Sequence, residues 1–207
     1  MQRLQDIQHE LEKVQVLAPW GKKQDDQWDK ASRFIYELCT YQDIEYKLNT
    51  LQAEETFRNY VWNRWYNFWS AKGIEIIFKS FNQVQAHPNP YHSSIDFYIN
   101  NIPFDHKSTV YPKNYPHNLT QALAQPKALI QWLYTEQSQQ QRFHLDNRLF
   151  IIFYDKNLLH WKLKSQLLWI SSIVENYLNQ FDPQKLIRID FEKHKACLSD
   201  IIWCIKN

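Results

Sequence analysis

A chain of 207 residues, 44% of them hydrophobic, can bury a sizeable core as one large domain or as one domain with a helical appendage. A formal charge of +2 permits a polyanionic partner without demanding one, so any phosphate-facing surface must be local and balanced by acids elsewhere. Cys39, Cys197 and Cys204 are an odd, widely spaced set that fits neither a disulfide framework nor a zinc ribbon. The first residues lack a signal-peptide layout and no apolar run is long enough to span a bilayer, so the expectation is a soluble, cytoplasmic protein with no membrane partner.

The first seventy or so residues read as helix. Leu4, Ile7, Leu11, Val14 and Leu17 form an apolar stripe that stops near Pro19 and Gly21. A second helical run follows Asp25 and Asp26, with Trp28, Ala31, Phe34, Ile35, Leu38 and Cys39 on one side. A third begins near Ala53 and Glu54 and carries Phe57, Tyr60, Val61, Trp65 and Trp69. Around Gly73 the pattern fits helix or strand, and Ile74, Ile77, Phe78 and Phe81 favour a short helix ending near Asn82. His87-Pro88-Asn89-Pro90 then reads as a loop. Most of the many aromatic side chains are expected to pack in the core, with a few available for stacking on bases or sugars.

A hairpin follows. Ser94 to Ile99 is rich in strand formers, Asn100-Asn101 is a two-residue turn signal, and Ile102 to Val110 is the return strand, closed by Pro112 and Pro116. Beyond it, Leu119 to about Glu136 reads as helix and Leu149 to Tyr154 as a strand buried on both faces of a mixed sheet. A helix from about Trp161 to Asn179 and two strands, Leu186 to Phe191 and Ile201 to Ile205, complete the chain. The order describes an α/β or α+β core behind a helical N-terminal region.

The chemistry follows from the hairpin register. With Asn100 and Asn101 as the loop, Ile99 faces Ile102, Phe97 faces Phe104, and Asp96 falls opposite Asp105. Directly opposed side chains share a face with β-carbons about 4.5–5.5 Å apart, and Lys107, two residues on from Asp105, projects the same way. Two opposed carboxylates resist joint ionisation, and a divalent cation removes that cost. Mg²⁺ is typically held by one or two carboxylates with its other positions left to water and phosphate. Lys107 would orient the attacking water or stabilise charge developing on phosphorus. As a bare tripeptide, Asp-x-Lys is equally the mark of an ordinary surface ion pair; the facing Asp96 and the order of elements after it tip the reading towards catalysis.

Asp96, eight intervening residues and then Asp105-His106-Lys107 resembles the core motif of the PD-(D/E)XK, or restriction-endonuclease-like, nuclease superfamily. The resemblance covers roughly the last two-thirds of the chain. It implies an α/β fold with a restriction-endonuclease-like core, a mixed central sheet flanked by helices. A helical N-terminal region (1–52) would pack on a nuclease-like domain (53–207). It implies metal ligation by Asp96, Asp105 and the backbone carbonyl of His106, with Lys107 assisting the nucleophile. Mg²⁺ is the implied cofactor and Mn²⁺ its substitute. Ile95 stands where the namesake proline often sits, and Asp105 replaces the commoner glutamate. Many members add a glutamate from the preceding helix, for which Glu75 is the best candidate, as catalytic and metal-binding residue; a solvated pair with Lys79 is its plain alternative. Glu54 and Glu55 are weaker candidates, explained by the dipole of a helix start.

His106 is expected on the opposite face in a packing role, while His87, His92, Lys113, His117, Gln121, Gln125 and Lys127 surround the motif without being assigned to it. The implied activity is Mg²⁺-dependent endonucleolytic hydrolysis of DNA phosphodiester bonds, in restriction, defence or a mobile element, with RNA an open alternative substrate. Cutting both strands would imply a homodimer, since one site cuts one strand at a time. Two other readings stand beside it. One is a catalytically silent nucleic-acid-binding or assembly protein on the same fold; the other is a helical interaction protein whose acids hold structural Ca²⁺.

Overall fold

The structure is a computed structural model that describes residues 4–19, 26–89, 92, 94–136, 146–191 and 196–206. The chain divides into two compact units, residues 1–77 with 164–169, and residues 78–163 with 170–207. The expected 52/53 boundary falls just before a long helix that begins at Glu55. Gly21 and Asp25, expected at helix ends, lie outside the described residues.

The first unit is helical. Helix α1 (Leu4–Glu12) buries Ile7 and Leu11 and ends earlier than its apolar stripe suggests. Bonds from Lys13 N–H to Glu10 O and from Val14 N–H to Leu11 O tighten its last turn, though Val14 remains buried. Helix α2 (Asp26–Ala31) gives way to a 3₁₀ turn at Arg33–Tyr36. Helix α3 (Tyr41–Thr50) was not anticipated; Thr40 caps it by accepting from Asp43 N–H, and Ile44 and Leu48 are buried.

Helix α4 (Glu55–Lys79) contains the whole stretch around Gly73. Two of its three indoles are tied to earlier backbone, Trp65 Nε1 donating to Leu38 O (2.8 Å) and Trp69 Nε1 to Ile35 O (2.9 Å). Gly73 is a site of close approach, since a β-carbon there would lie 2.5 Å from Leu167 Cδ1. The glycine therefore serves packing and ends no element.

The second unit is α/β, with a mixed six-stranded sheet flanked by helices and ordered β1-β2-β3-β4-β6-β5. Its strands are β1 (Val84–Ala86), β2 (Phe97–Ile99), β3 (Ile102–Val110), β4 (Arg148–Asp155), β5 (Ile187–Asp190) and β6 (Ala196–Lys206). Strands β3, β4 and β6 are parallel neighbours, and the other pairings are antiparallel. The expected hairpin forms with Phe97↔Phe104 and Ile99↔Ile102. Asn100 (φ 48°) and Asn101 (φ 65°) both take the left-handed conformation that a two-residue type I′ turn requires.

The helix expected over 119–136 is two: α5 (Leu119–Ala124), closed by a capping box between Asn118 and Gln121, and α6 (Pro126–Glu136). Pro126 disfavours a helical Gln125 and is accommodated where a helix starts, so the break falls there. The helix expected from Trp161 begins as a 3₁₀ segment (His160–Ser165) and continues as α7 (Leu167–Asn179). One sheet face, with Phe150, Ile152 and Ile201, packs on Leu129, Ile130, Leu133 and Tyr134 of α6. On the other, Phe104 meets Phe181 edge-on and Tyr177 donates to Asp200. No helix among the described residues is long and apolar enough to cross a membrane.

Candidate active site

The motif residues lie on β3 and immediately before β2, within the second unit. Alternation along β3 puts Asp105 and Lys107 on one face, and their side chains meet, Lys107 Nζ donating to Asp105 Oδ1 at 2.7 Å. Lys107 is 43% exposed in its side chain while that of Asp105 is 9% exposed, so the ammonium bridges a buried carboxylate to solvent. Burial pushes the Asp105 carboxyl up. Lys107 and Arg148 pull it down, Asp96 repels it, and the net direction is a raised pKa.

Asp96 departs from the expected register. Pairing between β2 and β3 ends at Phe97↔Phe104, and the Asp96 N–H donates to Phe104 O (2.9 Å) rather than entering a ladder pair with Asp105. The β3 edge is thereby left open one residue on, and Asp96 closes it with its side chain. Asp96 Oδ2 accepts from the His106 backbone N–H (2.8 Å) and lies 2.8 Å from His106 Nδ1. Burial alone would raise the Asp96 carboxyl; hydrogen bonds and charge from His106, with help from Lys107, hold it below the ordinary range. The two acids still feel each other electrostatically, but one oxygen of Asp96 is engaged by His106.

His106 itself faces away from Asp105. Its ring stacks on Phe97 at 6.0 Å between centroids and lies 6.5 Å from Phe78, with Nε2 buried and lacking a partner. Nearby, the rings of His87 and His92 are 4.2 Å apart, His87 stacks on Tyr98, and the His87 N–H donates to Asp96 O (3.4 Å).

Glu75 belongs to the first unit, where it pairs with Lys72 at 2.9 Å. Among the described residues, no three His, Cys, Asp or Glu side chains cluster so as to hold a metal. A site built from two carboxylates and a carbonyl needs only two. Comparison of the chain with protein-family models, curated proteins and solved structures gives no match.

One neighbour escaped the sequence reading. Arg148, the first residue of β4, is in register with Asp105, and its Nε lies 3.6 Å from Asp105 Oδ2. The only local sign of it is a charge at the mouth of an apolar run, since the pairing that brings it to Asp105 spans a long parallel crossover. Asn147, just before it, secures the corner: its O accepts from Asp105 N–H (3.0 Å), its Nδ2 donates to Pro103 O (3.1 Å), and its Oδ1 accepts from Leu198 N–H (2.8 Å).

The donors fit a hard divalent cation in kind. Asp105 is a buried carboxylate whose two neighbouring cations do not fully offset its desolvation, and a second acid lies at the edge of the same strand.

Proposed function

We propose that this protein is a Mg²⁺-dependent nuclease with a restriction-endonuclease-like core, hydrolysing phosphodiester bonds of DNA. The observation that carries the reading is the Asp105–Lys107 pair on one face of β3, with Asp96 closing the edge of that strand. An antiparallel hairpin leading into a parallel strand by way of helices is the supporting frame.

Asp105, Asp96 through its second oxygen, and the His106 carbonyl are the groups that would hold Mg²⁺, with Mn²⁺ as substitute. The bound ion would supply charge to polarise a phosphoryl oxygen and to acidify a water. The residues of the chain supply the rest. Asp105 is held in one orientation by Lys107 at Oδ1 and by the Asn147 corner through its own N–H. Lys107, tethered at its stem by β3 and open to solvent at its tip, places an ammonium where charge develops on the phosphoryl group, and keeps the attacking water in line. His106 fixes Asp96 so that only one of its oxygens is recruited. Glu75 takes no part in this reading.

The catalytically silent nucleic-acid-binding alternative also has an observation in its favour: Lys107 and Arg148 already flank Asp105, and His106 already engages Asp96. Incubation of supercoiled plasmid, linear duplex, single-stranded DNA and RNA with Mg²⁺ or with EDTA separates the two. Cleavage in Mg²⁺ alone, lost in Asp105→Asn, supports the nuclease; binding to any of them without cutting supports the silent protein.

A further inference from the structure

Arg148 has only 9% of its side chain exposed, and its Nε is buried without a hydrogen-bond partner. A guanidinium carries five N–H donors and no acceptor, so leaving one of them bare in the interior is costly unless something completes it. The nearest carboxylate oxygen, Asp105 Oδ2 at 3.6 Å, is within ion-pair range and beyond hydrogen-bond range.

The surroundings hold the guanidinium in place. Its carbon lies 4.8 Å from the centre of the Tyr134 ring, a cation–π contact. Tyr134 cannot swing, because its hydroxyl donates to Asp146 O (2.7 Å) and lies 2.8 Å from Ser199 Oγ. Ser199 is itself the β6 partner of Arg148, so Asp105, Arg148 and Ser199 form one row across three parallel strands. An arginine clamped on one side by a ring and flanked by a carboxylate holds a fixed set of donors beside Asp105, and because Nε is enclosed a further oxygen anion would meet the terminal nitrogens of the guanidinium.

We propose that Arg148 is an anion-binding residue that donates to a phosphodiester oxygen of the substrate beside Asp105. The identity of the anion rests on the nuclease reading; the placement of the guanidinium beside Asp105 does not. Lys107 meets the phosphate from the solvent side and Arg148 from the sheet side. The fixed, planar donor set of Arg148 also gives it an orienting role that a lysine lacks.

The test measures binding of a fluorescent duplex oligonucleotide in EDTA, where no cleavage occurs, as a function of salt. Loss of one phosphate contact reduces the slope of log affinity against log salt by about 0.9. Arg148→Met is expected to lower that slope by about one and to weaken binding roughly tenfold at low salt, with Arg148→Lys restoring the slope but not the full affinity. Both variants are repeated in an Asp105→Asn background. A phosphate contact persists there, whereas an effect that vanishes marks Arg148 as merely the counter-charge of Asp105 and overturns the proposal. If Arg148→Met fails to fold, Arg148→Lys and Arg148→Gln carry the same comparison. An unchanged slope, or no nucleic-acid binding by the unmodified protein, also overturns it. Binding with the expected slope change but no Mg²⁺-dependent cleavage sinks the nuclease reading and leaves Arg148 as an anion contact; cleavage with an unchanged slope does the reverse.

Discussion

Replacing Lys107 by alanine separates catalysis from folding. In the structure this lysine pairs with Asp105 Oδ1 at 2.7 Å, with 43% of its side chain in solvent. A pair so open is screened, and its loss should cost about 1 kcal/mol or less. For a chain of this size that is a fall in melting temperature of about 2–4 °C. The same ammonium, if it faces a phosphoryl group in the transition state, contributes about 3–4 kcal/mol there, the range found for a single positioned donor. Lys107→Ala should therefore melt close to the unmodified protein while its plasmid-nicking rate in Mg²⁺ falls by about 10²–10³-fold. Initial rates on supercoiled plasmid and a thermal melt measure both. A rate within threefold of the unmodified protein, or a melting temperature lower by more than about 8 °C, would refute the assignment.

Asp105→Asn should leave the metal-free protein within about 1 kcal/mol of its original stability, because relief of desolvation and of Asp96 repulsion offsets the lost pairs with Lys107 and Arg148. It should also abolish the rise in melting temperature that Mg²⁺ gives the unmodified protein, a stabilisation of about 1.4 kcal/mol at ten times Kd; equal rises in both would dismiss Asp105 as a ligand. Lys164 is buried with its Nζ donating to Asn67 Oδ1 (2.9 Å), and burial pushes its ammonium down to about 8 from 10.5. The unfolded chain then binds more protons between those two values, so this residue's contribution is fully favourable only above the unfolded pKa and is lost as pH falls through about 8. Lys164→Met should accordingly stabilise by about 1–2 kcal/mol at pH 7 after the loss of the Asn67 bond, and its advantage should shrink by about 2 kcal/mol at pH 9.5, as read by denaturant unfolding at the two pH values. A constant difference between the two proteins would show that Lys164 is not carrying its charge into the core. Gly73→Ala should destabilise by about 1 kcal/mol because its β-carbon would strike Leu167, whereas helix propensity alone predicts a gain of about 1 kcal/mol; the sign of the change in unfolding free energy decides.

The hairpin was legible because both of its determinants are local. Asn100-Asn101 tolerate positive φ, and alternation in β3 fixes which side chains share a face. The apolar run of β4 was legible for a similar reason, its first six residues all being buried. What was missed depends on contacts between segments distant in sequence. Strand β1 is three residues long and only Val84 is buried, so it carries no period of its own. Helix α3 hides in a polar stretch with two buried positions. Extrapolating the ladder puts Asp96 opposite Asp105, but the ladder stops one residue short because the Asp96 side chain accepts the next β3 N–H in place of a strand. Arg148 could not be paired with Asp105 before the crossover through α5 and α6 was known.

The charges around Asp105 balance on paper, since Asp96 and Asp105 are matched by Lys107 and Arg148. If the cluster existed only to fold, each group should be satisfied by the others, as buried ion pairs generally must be. Two of them are not. Asp105 is held above the usual carboxylate range despite two neighbouring cations, and Arg148 Nε stops short of the nearest acceptor. Asp105 lacks positive charge and Arg148 lacks an oxygen anion, and a hard cation carrying a phosphodiester brings both at once. Under the proposed reading, a bound cation and phosphodiester would relieve Asp105 and Arg148 together.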